Sequence, residues 1–437
     1  MMTGLRDTAE MMVGIAQKLG ASEATAWTSE GTWTDVKQRD GNIEKWQDSQ
    51  SKSGSIALFV DERFSVHSTN DLRKDALEQF LSRAIDATRH LEPDPLRSLP
   101  DPSMMGSGDD SGLDLIDSSS TKIDHRTWVD TVQRATTAAI PKNLRSAEGF
   151  VWSGSSSSMM VTSNGFEGHH STTEFGHGAE VSMEDVDGKL PEAYDYTVAR
   201  HHSDLMSIED LAAQVAERGA RQLGSKPVAS NRGAMLVENR VASRILGTLI
   251  GPMGGSSIYE QRSCLADKLD KQIASSAFSL FDDPHISRGM GSGTYDGDGR
   301  PTSKRTLVQD GQLTQWLINV YYGRKLERDP TSGGTTNLVV PVGSRSTDQI
   351  LSSLDWGIHV DGFLGGNSNP ATGRYSFGIR GTLYENGKAR GSVSEMNISG
   401  SIFDLLDGFI EAADDPWMNG SCRSPSLLFD AVQFSGQ

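Results

Sequence analysis

Five histidines in the middle of the chain could bind a metal ion, because a neutral imidazole is a common ligand of zinc. If residues 166–177 form one strand, His169 and His170 point to opposite faces, while His169 and His177 share a face but lie ~26 Å apart at ~3.3 Å per residue. A metal site would therefore need a bend or a partner from another strand. Polar strand positions are the simpler interpretation. The five are His169, His170, His177, His201 and His202.

Three further motifs are incomplete. Asp296–Gly299 lacks the glycine position and the final glutamate of a calcium loop. The glycines of residues 289–293 do not complete a dinucleotide-binding fingerprint, and Ser155–Ser158 form no Gly-x-Ser-x-Gly elbow. All three segments predict turns or loops.

A series of short segments is distributed along nearly the whole chain. They read Gly20-Ala21-Ser22-Glu23-Ala24, Asp40-Gly41-Asn42-Ile43-Glu44, Phe59-Val60-Asp61-Glu62-Arg63, Ser68-Thr69-Asn70-Asp71-Leu72, Phe281-Asp282-Asp283-Pro284, Tyr295-Asp296-Gly297-Asp298-Gly299, Gly333-Gly334-Thr335-Thr336-Asn337, Thr372-Gly373-Arg374-Tyr375-Ser376-Phe377-Gly378, Tyr384-Glu385-Asn386-Gly387 and Val393-Ser394-Glu395. Each segment alone is a weak signal. Their order and spacing together resemble the TldD/PmbA family.

The resemblance implies one of two branches. TldD-like members of the family carry a His-Glu-x-x-x-His helix and a C-terminal cysteine that bind a metal, whereas PmbA (TldE)-like members lack the motif and pair with a TldD subunit. In register, the histidine positions fall at Gly247 and Pro252, and the glutamate position at Thr248. These residues can neither hold Zn²⁺ nor act as the general base. The chain is therefore similar to the PmbA/TldE branch, and Cys422 is interpreted as a leftover or packed thiol.

The function implied by the resemblance is that of a non-catalytic subunit in a cytosolic metalloprotease complex, which degrades or processes unfolded peptides. No catalytic or metal-binding residue is expected in this chain, and zinc is expected in a TldD-like partner. When the chain is alone, it is expected to form a homodimer. The alternative explanation for the glycines among the expected site residues is that the backbone there adopts conformations that only glycine adopts readily. The peptide channel or subunit-facing surface is expected at Gly254, Gly255, Thr336, Asn337, Gly365, Gly366 and Gly373.

Composition narrows the possible partners and location. A net charge of −17 over 437 residues argues against binding nucleic acid, which depends on basic side chains neutralising phosphates. No stretch reaches the ~20 apolar residues of a membrane helix, and Met1 to Gly20 has no apolar core of the signal-peptide type. Cys264 and Cys422 give no disulfide framework. Two reduced thiols and a cytoplasmic location are expected.

The residue pattern predicts an α+β fold. Helical spacing predicts helices over residues 5–19, 74–89, 126–139, 208–223 and 241–250. Alternation from Glu23 to His67, interrupted at Asp40-Gly41 and Asp61-Glu62, predicts a meander of four or five strands. Further strands are expected over residues 145–200, and Asn386-Gly387 predicts a tight hairpin.

Three domains are expected. Residues 1–95 would form an N-terminal helix–β-meander–helix domain, and residues 96–225 a linker with a central α/β segment. Residues 226–437 would form a strand-rich C-terminal domain with twisted antiparallel sheets. Within the second region, Leu91–Thr121 is rich in Pro, Ser, Asp and Gly, which predicts a linker or a strap across the surface.

Two other functions are open on sequence grounds. One is a self-sufficient metallopeptidase with a non-standard site built from His169, His177 or His201–His202. The other is a peptide-binding protein without a peptidase role. Zinc in the purified chain would favour the first, and a neighbouring gene that encodes His-Glu-x-x-x-His would count against the second.

Overall fold

The structure is a computed structural model that describes residues 2–120, 125–138, 141–186 and 188–436. All five predicted helices are present, although Thr121 of the predicted strap and Ala139 of the predicted third helix lie outside the described residues. Ser207 caps α4, as its position before an acidic first turn indicates. The helices are α1 Met2–Lys18, α2 Lys74–Thr88, α3 His125–Thr137, α4 Ile208–Arg221, α5 Ser243–Ile250, α6 Gly255–Tyr259, α7 Val320–Leu326, α8 Thr347–Ser352 and α9 Ile402–Asp407.

Within the described residues, the strands form three sheets with orders β3-β2-β1-β4-β5-β6, β10-β9-β8-β11-β16 and β14-β13-β12-β7-β17-β15. Together with the helices they confirm the α+β class. The strands are β1 Glu23–Arg39, β2 Asn42–Val60, β3 Arg63–Thr69, β4 Leu144–Thr162, β5 Glu167–Met183, β6 Glu192–Ala199, β7 Asn231–Val237, β8 Leu280–Asp282, β9 Arg305–Gln309, β10 Gln312–Leu313, β11 Leu338–Val339, β12 Trp356–Asn369, β13 Arg374–Glu385, β14 Lys388–Ser401, β15 Phe409–Ala412, β16 Cys422–Arg423 and β17 Leu427–Ser435.

The N-terminal meander has three strands, so the expectation of four or five was wrong. The two predicted turns are correct: Asp40, Gly41, Asp61 and Glu62 all have positive φ, as tight hairpin turns require. The polar first half of β2 is exposed but stays extended, because it pairs with β1 along its whole length. The polar residues in this half of β2 belong to a hairpin that is exposed on both faces, and they do not mark an additional turn.

The first sheet joins strands from both sides of residue 95. β1 pairs antiparallel with β4 over 15 residue pairs, from Thr25 opposite Thr162 to Arg39 opposite Glu148. Helices α1 to α4 cover one face of this sheet through three apolar clusters. Alternation along the strands directs Val36, Val151 and Phe175 to these helices, and therefore directs their sequence neighbours to the opposite face.

Residues 91–120 cross the surface as the predicted strap, which ties the first sheet to the C-terminal half. Asp94 accepts a hydrogen bond from Tyr321 Oη at 2.7 Å and pairs with Lys325 at 2.9 Å. Arg324 donates to the carbonyl oxygens of three strap residues, at distances of 2.7 to 3.0 Å; these are Leu96, Ser98 and Leu99.

The C-terminal half contains the largest apolar core, in which α5 packs on the third sheet. Most strand pairs are antiparallel, but β7 with β12 and β11 with β16 run parallel, which the prediction of antiparallel sheets missed. Ile245, Leu246 and Leu249 of α5 are buried in this core. The helix is therefore fixed on one side, and its other side is free to carry functional residues.

Candidate functional site

The helix α5 carries the positions of the lost metal motif, and its exposed side has room for larger residues. Ser243, Arg244, Gly247 and Gly251 are exposed. A Cβ atom added at Gly247 or Gly251 would meet nothing within 4 Å. Position 247 therefore has space for a larger side chain, but glycine offers no group that could bind a metal.

The other two motif positions are buried. Thr248 is 8% exposed, and its hydroxyl donates to the carbonyl of Ile245 at 2.6 Å. Pro252 is buried in the short turn after α5, where its carbonyl accepts a hydrogen bond from Ser263 Oγ at 2.6 Å. Thr248 is thus a packed helix residue and is not placed to activate water. The residues at the motif positions do not fit a zinc ion.

Next to α5, one edge of β12 is open. β12 pairs with β7 only from Gly357 to Val360, whereas its pairing with β13 continues to Asn369. Residues 364–369 are exposed. Within the described residues, the side of β12 that faced β7 thus has no strand partner beyond Val360. An unpaired edge can add an extended peptide as a further strand.

Arg244 joins α5 to this open edge. Its Nη2 donates to the carbonyl oxygen of Gly366 at 2.6 Å, and its guanidinium lies 4.6 Å from the centre of the Phe377 ring. Arg244 is not among the site residues expected from the sequence. The sequence did contain a signal for it, because Arg244 is a single basic residue in an otherwise apolar helical segment, just before the motif positions.

The glycines predicted for the channel lie in two places. Gly365 and Gly366 are on the open part of β12 with φ of 101° and 90°, values that favour glycine. Gly373, with φ of 68°, closes the hairpin beside Cys264. Gly254 and Gly255 follow α5, and Gly255 is packed so that an added Cβ would lie 2.8 Å from Tyr322 Cβ. Positive φ at three of these glycines and close packing at Gly255 favour glycine independently of any channel.

Thr336 and Asn337 are turned inward. Both the amide and the hydroxyl of Thr336 donate to Asp282 Oδ1, at 2.7 and 2.6 Å. Asn337 is fully buried, donates to the Asp283 carbonyl at 2.8 Å and accepts from the Gly291 amide at 2.9 Å. Their side-chain groups are used within the chain and hold the end of β8 and the loop after it against the segment that leads into β11.

The histidines have separate partners. His169 bonds with Ser171 and His170 with Asp110, while His177 bonds with the Met206 carbonyl and His201 with the Asp114 carbonyl. The His202 ring packs on Trp128 and Phe175. In the part of the chain that the structure describes, no three His, Cys, Asp or Glu side chains are grouped so as to hold a metal ion. The histidine-site alternative gains no geometric support.

Both cysteines are free thiols. Cys422 lies on β16 against the main core, and burial raises the pKa of its thiol to about 11. Burial also raises the pKa of Cys264. Cys422 is therefore a packed thiol that stays protonated at neutral pH in these surroundings.

Comparison with known proteins identifies the family. The PmbA/TldA metallopeptidase central domain matches residues 118–223, and the PmbA/TldA metallopeptidase C-terminal domain matches residues 230–436. Metalloprotease PmbA of Escherichia coli O157:H7 is 27% identical over 453 residues, which cover 99% of this chain and 97% of that protein.

Two solved structures share the fold. One, from Bacteroides thetaiotaomicron VPI-5482 and named for modulation of DNA gyrase, is 32% identical with a TM-score of 0.96, and the match covers 99% of each chain. TldE from Thermococcus kodakarensis is 19% identical with a TM-score of 0.84, and the match covers 98% of this chain and 100% of that chain.

The chain belongs to the PmbA/TldD family of metallopeptidase-like proteins. Within it, the PmbA relatives and the replaced motif place the chain in the PmbA/TldE-like branch. Among the described residues, no helix is long and apolar enough to cross a membrane.

Proposed function

We propose that this chain is the metal-free subunit of a two-chain cytosolic peptidase. A TldD-like partner would supply the zinc ion and the water-activating glutamate, and this chain would form part of the chamber that holds an unfolded peptide. The observation that carries the proposal is the open edge of β12 beside α5, the helix that carries the motif positions Gly247 and Thr248, with Pro252 in the turn after it.

The chemistry of the edge suits unfolded substrates. Main-chain hydrogen bonds to an added strand give affinity without reading side chains, so many sequences would be accepted. Arg244 holds one carbonyl of this edge and would fix its position against α5. The buried face of α5 packs in the same apolar core as Ile358 and Val360, which precede the open part of β12.

The proposal explains the replaced motif. In a chain that contacts the peptide but does not cleave it, the helix would form one wall of the chamber and would not need to supply metal ligands. Since the exposed side of α5 retains room at Gly247, the wall can lie close to the peptide or to the partner. Alone, the same surface would allow the chain to pair with itself.

The test is reconstitution with two forms of the partner. The purified chain is mixed with its TldD-like partner, and cleavage of an unfolded peptide is measured by mass spectrometry. The control is the same partner with its motif glutamate replaced by glutamine. Cleavage only with the intact partner, and faster than by that partner alone, is expected. Cleavage by this chain alone would contradict the proposal, and so would equal cleavage with and without this chain.

A further inference from the structure

The face of the first sheet opposite the helices carries aromatic rings that belong to none of the apolar cores. Phe150, Trp152 and Tyr196 are each partly exposed. Their rings form a row: Phe150 stacks on Trp152 at 6.1 Å between centroids, and Trp152 lies 6.1 Å from Tyr196. Trp417 extends the row at 6.2 Å from Tyr196. Exposed apolar patches of this kind mark interaction sites more often than isolated exposed side chains do.

Glycines on neighbouring strands hold these rings flat. Gly176 and Gly178 of β5 lie directly opposite Trp152 and Phe150 of β4. A Cβ atom added at either glycine would overlap the ring opposite it. Each ring therefore rests on the glycine backbone and remains partly exposed. Trp33 rests in the same way on Gly154, and its side chain is 39% exposed.

Two carboxylates of β5 flank the part of the row formed by Phe150 and Trp152. Along β5, the residues that point to this face are Glu174, Gly176, Gly178 and Glu180 in turn. Six residues of strand separate the two glutamates, so their Cα atoms are ~20 Å apart at ~3.3 Å per residue. The surface thus has the length of about six residues of extended peptide.

The acidic groups are not fully neutralised. Glu180 has no ion pair among the described residues, because the neighbouring Lys37 and Arg39 both bind Glu148. Burial, together with the charges of Glu148 and Glu192, raises the pKa of Glu180. Glu174 accepts a hydrogen bond from Trp152 Nε1 at 3.0 Å, and its nearest cation is Arg200 at 3.9 Å.

A ligand that matches both features is a cation on an extended chain. Open ring faces attract Lys and Arg side chains, at about 0.5–1 kcal/mol each where solvent is present. The carboxylates on either side of Phe150 and Trp152 add a charge preference of the same sign. An acidic or purely apolar partner would gain from only part of this surface.

We propose that the open face of the first sheet binds the basic side chains of an extended peptide, which contact Phe150, Trp152 and Tyr196 while Glu174 and Glu180 supply the opposite charge. The inference rests on the proposed function, because it gives the peptide-holding subunit a preference for basic segments. The β12 edge would bind main chain, and this face would select side chains.

The test uses a fluorescein-labelled hexapeptide with two arginines and its counterpart with citrulline, which has nearly the same shape but no charge. Binding to the full chain is measured by fluorescence anisotropy at low and at physiological salt. We expect the arginine peptide to bind at least about tenfold tighter, which corresponds to about 1.4 kcal/mol. The difference should shrink as salt is added.

Variants separate this face from general charge attraction. Glu174→Gln with Glu180→Gln should remove most of the preference for arginine, whereas Glu78→Gln on the exposed side of α2 should leave it unchanged. Trp152→Leu should weaken binding of the arginine peptide, with folding checked by thermal melting. Equal binding of the two peptides, or an unchanged preference in the double glutamine variant, would overturn the inference.

The same peptides distinguish this inference from the proposed function. If the mixture with the partner cleaves both peptides equally, the peptidase role stands and the basic preference is wrong. If the chain alone prefers arginine but the mixture cleaves nothing, the sheet face is a binding site and the peptidase role is wrong. Loss of arginine binding when an inactive partner is added would mean that the face is covered by the partner, which also overturns the inference.

Discussion

His177 shows how a single residue can be buried without serving as a ligand. It lies on β5 under the helices, where its ring bonds to the Met206 carbonyl at 2.9 Å. Burial lowers the pKa of His177 to about 4, so the folded protein keeps it neutral. A neutral ring that donates its proton to a carbonyl is part of the packing between β5 and the segment before α4.

This pKa shift predicts a loss of stability in mild acid. The unfolded chain binds a proton near pH 6.5, but the folded chain does so only near pH 4. Stability is therefore full above about pH 6.5 and falls as the pH is lowered toward 4, by about 2 kcal/mol at pH 5. His177→Gln keeps a donor for Met206 without the titration, and should reduce the loss between pH 7 and pH 5 by that amount. Urea unfolding at the two pH values measures it.

Exposed His90 supplies the control, since His90→Gln should leave the pH dependence as it is. An unchanged pH dependence in the His177 variant would show that other groups cause the acid loss.

Single residues differ in how far their roles could be predicted from the sequence. Chemistry lost from a motif can be seen directly, because Gly, Thr and Pro cannot replace His and Glu. The partners of Asn337 and Arg244 could not be predicted, because they come from loops and strands distant in sequence. The expectation that Thr336 and Asn337 line a peptide channel stays a prediction. In the structure, the side chains of both residues are already hydrogen-bonded within the chain.

At the scale of elements, local signals predicted the tight turns and five of the nine helices found in the described residues. Asn386-Gly387 forms its hairpin with φ of 50° and 69°, as the residue types require. Apolar spacing gave the helices to within a few residues. The join of β1 to β4 was not predicted, because pairing across more than a hundred residues leaves no local pattern.

The two glycines near α5 should respond oppositely to alanine. Gly247 is in the helix with open space around it, so Gly247→Ala should stabilise the protein by about 0.5–1 kcal/mol through helix propensity. Gly255→Ala should destabilise it by roughly 1–3 kcal/mol, because the new Cβ would press on Tyr322. Urea unfolding of the two variants side by side checks this. Destabilisation by Gly247→Ala would mean that the exposed side of α5 is already occupied.

At the scale of the whole molecule, a buried ionic network joins the first half to the C-terminal half. Arg218 of α4 makes two hydrogen bonds to Glu238, at 2.6 and 2.9 Å, and lies 3.3 Å from Asp195. Burial tends to raise the pKa of Glu238, but Arg218 and Arg240 lower it below the usual range. The network thus favours the charged form of Glu238, whereas burial raises the pKa of Asp195 despite the nearby Arg240 and Arg218.

Removing the central cation should weaken the junction. Arg218→Met leaves Glu238 and Asp195 buried with less opposite charge, and should cost about 3–5 kcal/mol. The matched control on the same helix is Arg221→Met, whose partner Glu217 is exposed and 3.9 Å away, so about 0.5 kcal/mol or less is expected. Thermal and urea unfolding measure both. Equal effects of the two substitutions would show that the junction does not depend on Arg218.

The central claim is that this chain holds peptide but carries no metal, so the most direct measurement is its zinc content with cleavage read on the same sample. The purified chain is equilibrated with zinc, dialysed and analysed by mass spectrometry of the metal, alone and in complex with its TldD-like partner. We predict no bound zinc and no cleavage alone, and one zinc per partner chain with cleavage in the complex. Stoichiometric zinc and chelator-sensitive cleavage by this chain alone would contradict the account.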